Sequence, residues 1–333
     1  MPHRHVARHD VVCLGELVID LVPTSLEREP LFAARPGGAP GNVAAGVARL
    51  GHSAAMLSRV GPGAFGQVLI DALERAGVDT AAVTRSAHEP TALAVVSLNP
   101  DGDRDFVLYR EGCADSHLLL DPPALAYLAA TRILHTGSLS LATPVSAAAQ
   151  RTAVARASEA GALISTDVNF RPTLWRDPAA MLATGREAVA AANIVKLSAD
   201  ELFALTGASE IAAAARVLWH PRLRLLAVTS GAGGASLFTA DRRIDIPGFA
   251  VPVTDTVGCG DAFMAALLVG LVAAGSPAPD ASVLEQIGRY AVAAGAVMAG
   301  VAGAMEHMPR HEQVIALLRT HGFEPPPGLR NDP

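Results

Sequence analysis

Aromatic side chains make up only 4% of the 333 residues, cysteine occurs three times, and no stretch of the chain is strongly basic. Each shortage excludes something. Half of the sequence is apolar, and that half is mostly Ala, Val and Leu. The scarcity of rings therefore argues against an aromatic-rich β-sandwich and for helices packed closely on a parallel sheet. Cys13, Cys113 and Cys259 lie too far apart for a disulfide framework and form no CxxC pair for zinc, which points to a reducing cytoplasm. A formal net charge of −6 without a Lys/Arg cluster makes nucleic acid an unsuitable partner.

Long hydrophobic runs are missing too. Segments 262–275 and 291–305 are apolar but shorter than the roughly 20 residues a membrane span requires, so they read as core helices. Near the start, Glu16 and Asp20 interrupt the stretch 11–22 that would otherwise resemble a signal-peptide core, and secretion is not expected. His3, His5 and His9 crowd the N-terminus, where a frayed, solvated segment is expected rather than a metal site. No repeat of fixed period and no low-complexity linker occurs, so residues 1–333 are expected to form a single domain.

What the chain does have is alternation. Short β-branched runs at 11–14, 54–60, 133–136, 163–167, 194–197 and 225–229 predict parallel strands. Longer Ala-rich amphipathic segments at 42–50, 65–76, 144–160, 178–192 and 210–219 predict the helices between them. Gly51, Gly77 and Gly161 follow three of these helices, where a C-terminal cap wants a residue tolerant of positive φ. The fold class expected is α/β, built from βαβ units.

Two segments break the pattern. Residues 91–98 and 104–109 are strand-like and flank Asn99-Pro100-Asp101-Gly102, a turn sequence that makes an antiparallel hairpin. Residues 17–22 also look like a strand and lead into a Pro-bearing stretch ending at Pro36. A small β-sheet lid built discontinuously from about 16–36 and 88–112 explains both. The strand 17–22 and the hairpin are expected to offer an edge to a second copy, giving a homodimer.

Chemistry concentrates in two Gly-rich segments that each open a helix. Asp255-Thr256-Val257-Gly258-Cys259-Gly260-Asp261 precedes an apolar helix, and its small residues let backbone amides turn toward an anion beside a carboxylate. Gly37-Gly38-Ala39-Pro40-Gly41-Asn42 places Asn42 where a helix cap or a ligand-binding amide would sit. Ligands in open α/β sheets bind beyond the carboxyl ends of the strands, which is where both segments fall.

Together these signatures resemble the PfkB (ribokinase-like) carbohydrate kinase family, and within it the bacterial fructokinase branch. Gly15-Glu16-Leu17-Val18-Ile19-Asp20, Tyr109-Arg110, Asp167-Val168-Asn169-Phe170-Arg171-Pro172, Lys196-Leu197-Ser198 and Val228-Thr229-Ser230-Gly231 follow in the family's order, so the resemblance covers nearly the whole chain. It implies a three-layer α/β/α core with a mainly parallel sheet and a small β lid. It further implies an ATP- and Mg²⁺-dependent sugar kinase in the cytoplasm, most similar to those acting on fructose, with 2-keto-3-deoxygluconate and nucleoside kinases as alternatives.

Residue by residue, the resemblance implies that Asp261 is the general base and that the amides of Val257, Gly258, Cys259 and Gly260 hold the transferring phosphoryl group. Asp20, Gly37, Gly38 and Asn42 match sugar-binding positions, although Asp20 by itself also reads as a solvated strand-end residue. Arg110 and Arg171 resemble residues that reach substrate or phosphate, a structural salt bridge being the alternative for each. Lys196, Ser198, Thr229, Gly231 and Gly234 match the nucleotide side, Glu201 a magnesium position reached through water, and Asp255 the neighbourhood of a monovalent cation such as K⁺.

Three departures from the family stand out. Ser198 replaces the Asn of an Asn-x-x-Glu pattern, Val292 stands where relatives often place Asn near the adenine, and Cys259 stands where relatives carry Ala. A thiol at a helix N-terminus is expected to have a lowered pKa and to be reactive, or else to be a buried, inert cysteine.

Two other classes fit less. Gly61-Pro62-Gly63-Ala64-Phe65-Gly66 is a literal GxGxxG, the fingerprint of an NAD-dependent oxidoreductase, but Pro62 stiffens the turn and no acidic residue follows where a ribose contact is wanted. A non-catalytic sugar-binding regulator has no need of Asp261. The string 231–234 lacks the Lys-Ser/Thr ending of a Walker loop.

Overall fold

The computed structural model describes residues 8–25, 29, 31–98, 104–172, 175 and 177–329. In chain order the first half runs β1 (His9–Leu14), β2 (Val18–Ser25), β3 (Leu31–Gly37), α1 (Ala39–Arg49), β4 (Ala54–Val60), α2 (Ala64–Ala76), β5 (Val83–Arg85), β6 (Ala92–Leu98), β7 (Arg104–Tyr109), α3 (Pro122–Ala129), β8 (Thr131–Gly137) and α4 (Pro144–Glu159). The second runs β9 (Leu163–Asp167), α5 (Pro178–Ala191), β10 (Ile194–Ser198), α6 (Ala199–Thr206), α7 (Ile211–Leu218), β11 (Leu225–Thr229), β12 (Ala235–Phe238), β13 (Arg243–Ile246), α8 (Cys259–Ala274), α9 (Ala281–Ala299) and α10 (His311–Thr320).

The central strand shows why the chain forms layers. Along β1, Val11 and Cys13 point into one apolar core while Val12 and Leu14 point into a second, and all four are fully buried. A strand covered on both faces must be apolar at every position, which is the signature of a parallel sheet. Nine strands join in the order β13-β12-β11-β10-β9-β8-β1-β4-β5, parallel from β11 to β5 with β12 and β13 antiparallel at one edge. Helices α1, α2, α8, α9 and α10 supply one core and α3 to α7 the other, so the expected three-layer α/β architecture holds.

On the first face α8 is the hub. Every residue of 261–272 is buried, which suits a helix that is apolar all round. Its neighbours approach closely through small residues: a Cβ on Gly46 of α1 would stand 2.6 Å from Ala265, and one on Gly270 would stand 2.7 Å from Ile287 of α9. The Ala and Gly richness of the sequence is thus a packing requirement, and it brings the starts of α1 and α8 together. Truncating Leu267 to Ala in this core would cost about 2–5 kcal/mol.

The second sheet has four strands in the order β3-β2-β6-β7. Strand β2 pairs antiparallel with β3 from Val18 opposite Gly37, and parallel with β6 from Val18 opposite Ala92. The hairpin β6–β7 forms with Leu98 opposite Arg104, its turn at 99–103 lying outside the described residues. The expectation that 17–22 is a free edge is corrected, because β3 and β6 cover β2 on both sides. The edges are β3 and β7.

Helix ends match the sequence closely, with Gly51, Gly77 and Gly161 all at positive φ after α1, α2 and α4. The N-terminal expectation fails at His9, which is buried at the start of β1 with Nε2 3.4 Å from Asp79; His3 and His5 lie outside the described residues. Among those residues no helix is long and apolar enough to cross a membrane.

Candidate active site

Because β1 is flanked by β4 on one side and β8 on the other, the chain departs from it in both directions, and a crevice opens at the carboxyl ends of the strands. A cavity of about 450 Å³ occupies that crevice. Glu16, Ser138, Asn169 and Lys196 reach it from the ends of β1, β8, β9 and β10, and Val18, Asp20, Ala94 and Leu108 from the small sheet. Asn42 and Asp261 close it from the starts of α1 and α8.

Asp261 sits in the first turn of α8, 8% exposed, and its Oδ2 accepts a hydrogen bond of 2.7 Å from Asn42 Nδ2. Burial raises its pKa above the ordinary carboxylate range, against the opposing pull of Asn42, Lys196 and Arg171. A carboxylate shifted in this direction is a better proton acceptor at neutral pH. Of the two readings of Asn42, the cap does not hold: Gly38 occupies that position and Asn42 lies inside α1, with its side chain turned to Asp261.

The four expected anion-binding amides divide into two pairs. Val257 N donates to Asp255 Oδ1 at 3.1 Å and Cys259 N to Thr256 O at 3.3 Å, so both are engaged. Among the described residues no acceptor claims the amides of Gly258 and Gly260. Gly258 takes the left-handed conformation, φ 79°, that turns the chain into α8. Against Gly260 lies Lys196, whose Nζ would be 2.8 Å from a Cβ placed there. Two amides at a helix start and an ammonium thus line the same part of the cavity, a set of groups that can stabilise negative charge.

Lys196 is buried and its Nζ stands 2.8 Å from Asp167 Oδ2. Burial works against its charge, but Asp167, Glu201 and Asp261 outweigh that and raise its pKa, so the ammonium persists. Across the cavity, Asp20 lies in mid-strand on β2, not at a solvated strand end. Burial and the nearby Asp261 push its carboxyl up to about 6 against the pull of Arg171. Gly37 and Gly38 are required by close approach: a Cβ on Gly37 would meet Asp20 Oδ2 at 2.6 Å, and one on Gly38, at φ 106°, the Glu16 carbonyl at 2.5 Å.

The two arginines part company. Arg171 lines the cavity, held by Nη1 donating to Asn169 Oδ1 at 2.5 Å. Asn169 is the single non-glycine residue with positive φ, 43°, among the described residues, and such strain gathers at functional sites. Arg110 does not line the cavity; it is buried in an ion pair with Asp115 and donates through Nη1 to Leu139 O at 3.2 Å. The salt-bridge alternative describes it.

Among the residues expected on the nucleotide side, Ser198 caps α6, and Glu201 accepts from Ser198 N and Phe170 N, both at 2.7 Å. Thr229 ends β11 beside Leu197, and Gly231 and Gly234 form the turn after it. None of the three lines the cavity. Gly234 leaves no room for a side chain because Ile246 O would lie 2.0 Å away, a constraint set by the β12–β13 hairpin. Val292 is buried in the core of α9.

Asp255 fastens the turn to the segment after α9: its Oδ1 accepts from Val257 N and its Oδ2 from Gly303 N at 3.2 Å. The reactive-thiol expectation for Cys259 is reversed. Its Sγ lies 3.9 Å from Asp255 O, and burial together with the Asp255 and Asp261 charges pushes the thiol up to about 11. The GxGxxG string does join β4 to α2, yet two of its three glycines serve packing: a Cβ on Gly61 would stand 2.5 Å from Thr91 N, and one on Gly66 would stand 2.3 Å from Gly61 O. Neither glycine lines the cavity.

Glu16, Asn169 and Asp167 carry no role on sequence grounds. All three stand inside the motifs named above, and their common signal is a polar side chain just at or beyond a strand's carboxyl end.

Comparison with known proteins agrees with this geometry. Residues 8–311 match the model of the pfkB family carbohydrate kinases. The chain is 38% identical over 315 residues to Fructokinase-1 of Oryza sativa subsp. japonica, covering 93% of this chain and 98% of that one. It is also similar to the crystal structure of fructokinase with bound ATP from Xylella fastidiosa, with TM-score 0.86 and 32% identity over 94% of this chain and 99% of that one. A double mutant of fructokinase from Vibrio cholerae O395, in a fructose-, ADP- and potassium-bound form, superposes with TM-score 0.83 and 30% identity, covering 94% and 99% of the two chains.

Proposed function

Given that the chain belongs to the pfkB family of carbohydrate kinases, we propose that it transfers the γ-phosphoryl group of ATP to D-fructose, giving D-fructose 6-phosphate and ADP. The observation that carries this reading is the convergence of Asp261, the free amides of Gly258 and Gly260, and Lys196 on one end of a cavity whose other walls carry Asp20 and Asn42.

In this reading Asp261 takes the proton of the sugar hydroxyl as its oxygen attacks phosphorus. Asn42 orients the carboxylate, and the Gly258 and Gly260 amides with Lys196 balance the charge on the equatorial oxygens. Asp20 and Arg171 hold hydroxyls away from the reacting end, and Val18, Ala94 and Leu108 exclude water from the side of the small sheet. The nucleotide approaches over Ser198, Thr229, Gly231 and Gly234. Magnesium, which keeps most of its water shell, supplies charge neutralisation of the phosphates; Glu201 would hold it through a water molecule. A potassium ion beside the Asp255 turn is part of the same proposal, supported by the potassium-bound Vibrio cholerae relative.

The whole chain acts as one domain, with residues of about 16–36 and 88–112 as its lid. A second copy pairs through that lid, because the edge strands β3 and β7 carry exposed Leu31, Phe32, Val107 and Tyr109. The three cysteines are unpaired, which suits a cytoplasmic location. The test is a panel of ketoses, aldoses, 2-keto-3-deoxygluconate and nucleosides, each assayed with ATP and Mg²⁺. Fructose is expected to give the highest kcat/KM, with the product phosphorylated at O6. Preference for another sugar would overturn the substrate, and no transfer to any would overturn the reaction.

A further inference from the structure

Glu16 follows β1 with one carboxyl oxygen that the fold leaves without a partner. It is 5% exposed, it lines the same cavity as Asp261 and Asp20, and its Oε2 is buried without a hydrogen-bond partner. An orphaned buried acceptor costs stability, so its retention calls for a partner that arrives from outside.

The backbone around Glu16 is clamped. A Cβ on Gly15 would stand 2.5 Å from Pro40 Cγ, and one on Gly38 the same distance from the Glu16 carbonyl. The loop that starts α1 therefore fixes where this side chain emerges. Arg110 supports it from behind the wall. That guanidinium is committed through Nε to Asp115 and through Nη1 to Leu139, keeps Nη2 unpartnered, and draws the Glu16 carboxyl down. Burial outweighs the pull of Arg110 and Arg171 and, with Asp115, pushes Glu16 up to about 7.

A second orphan sits in the same cavity. Asn42 spends its amide on Asp261, and its Oδ1 is buried without a partner. Both orphans are acceptors, so the missing ligand carries hydroxyl donors on more than one side, as a sugar does.

We propose that Glu16 is a specificity-determining residue of the sugar site, its Oε2 taking a hydrogen bond from a sugar hydroxyl other than the one that receives the phosphoryl group. Asp261 serves the reacting hydroxyl, so Glu16 reads the remainder of the molecule. A sugar lacking that hydroxyl leaves the carboxyl buried and unpaired, and is rejected.

This proposal rests on the sugar-kinase reading above, and the test separates the two. Sugar binding without ATP is measured by calorimetry across fructose, its epimers and its singly deoxygenated analogues, alongside steady-state kinetics, for wild type, Glu16→Ala and Glu16→Gln. Glu16→Ala is expected to weaken binding of the preferred sugar about 10- to 100-fold, leaving the KM for ATP unchanged and kcat within a few-fold. One deoxy sugar should bind Glu16→Ala at least as well as wild type, because it lacks the hydroxyl that Glu16 reads and the variant has no carboxyl to leave unpaired. Glu16→Gln, which keeps the shape and an acceptor oxygen, should lose only a few-fold. Unchanged affinity in both variants, or an equal loss for every deoxy sugar, overturns the role of Glu16 while the kinase reading stands. Wild type that binds sugars by this pattern yet transfers no phosphate overturns the kinase reading instead.

Discussion

Asn42 Nδ2 and Asp261 Oδ2 meet at 2.7 Å across 219 residues of sequence, and that one hydrogen bond ties the start of α1 to the start of α8 inside the cavity. It couples a residue proposed for the sugar wall to the proposed base. A hydrogen bond to the ionised carboxylate favours ionisation, so it offsets part of the rise that burial imposes on Asp261.

Replacing the base and replacing its partner should therefore look different. Asp261→Asn is expected to lower kcat by roughly 10² to 10⁴ at every pH, the usual worth of a positioned base. Asn42→Ala lets the Asp261 pKa rise further, so the acid limb of the kcat profile should move to higher pH, with partial recovery of rate in alkaline buffer. Steady-state kinetics from pH 5.5 to 9 checks both. A limb that stays in place in Asn42→Ala would remove Asn42 from the tuning of Asp261.

Gly260 is a test of the anion cradle. A methyl there would stand 2.8 Å from Lys196 Nζ, the far end of a side chain that can shift, so Gly260→Ala should fold with a melting temperature close to wild type. Moving the ammonium off the cradle should lower kcat by about 10- to 100-fold, in the range of losing one charge-stabilising donor. Wild-type turnover in a folded Gly260→Ala would mean that Lys196 does not face the transferring group.

Much of this arrangement was legible because the residues that carry it are local: strand ends, glycine-opened helices, and apolar runs whose period fixes their layer. What was not legible depends on partners distant in the chain or hidden by composition. The sequence marks the segment of β3 only as a Pro-bearing stretch ending at Pro36 within the lid, yet that strand covers β2 and removes the edge that 17–22 promised. Arg110 reads as a ligand until Asp115 is seen beside it. For Cys259, the helix N-terminus alone predicts a low pKa, and only the packed structure shows that burial, Asp255 and Asp261 dominate. Glu16 and Asn42 needed the fold to show which atoms lack partners.

The cavity carboxyls make stability depend on pH. Asp20 rises from an ordinary 3.8 to about 6 on folding, and Glu16 from 4.5 to about 7. A carboxyl raised in the folded state favours folding below its unfolded pKa and loses that contribution as pH climbs through the folded value. The sugar-free protein should accordingly melt higher at pH 5 than at pH 8, by a free energy on the order of 1–3 kcal/mol. Asp20→Asn should flatten the part of this slope between pH 4 and 6. A melting temperature that rises from pH 5 to 8 would contradict the assignment.

Cys259 should be slow to alkylate. With its thiol pushed up to about 11, iodoacetamide at pH 7.5 finds almost no thiolate, and labelling should accelerate only above about pH 9. Cys259→Ala should keep wild-type activity, because its amide is already engaged by Thr256 and its side chain serves no acceptor in the cavity. Mass spectrometry of a timed labelling series checks this, and rapid modification at neutral pH, prevented by ATP, would restore a reactive thiol.

Magnesium should be needed for transfer and not for folding. Among the described residues no group of three or more His, Cys, Asp or Glu side chains could cage a metal, and both oxygens of Glu201 accept backbone amides. In the proposed reaction the ion arrives with the phosphates, keeping its water shell. Excess EDTA should abolish product formation while leaving the melting temperature of the nucleotide-free protein unchanged. Glu201→Gln separates the two roles of that side chain. It keeps one acceptor, for Ser198 N, but turns a donor NH2 toward Phe170 N, so stability should fall by about 1–3 kcal/mol, and it weakens the hold on the ion's water, so the magnesium concentration at half-maximal rate should rise several-fold. Loss of folded protein on chelation would instead require a resident metal that these residues do not provide.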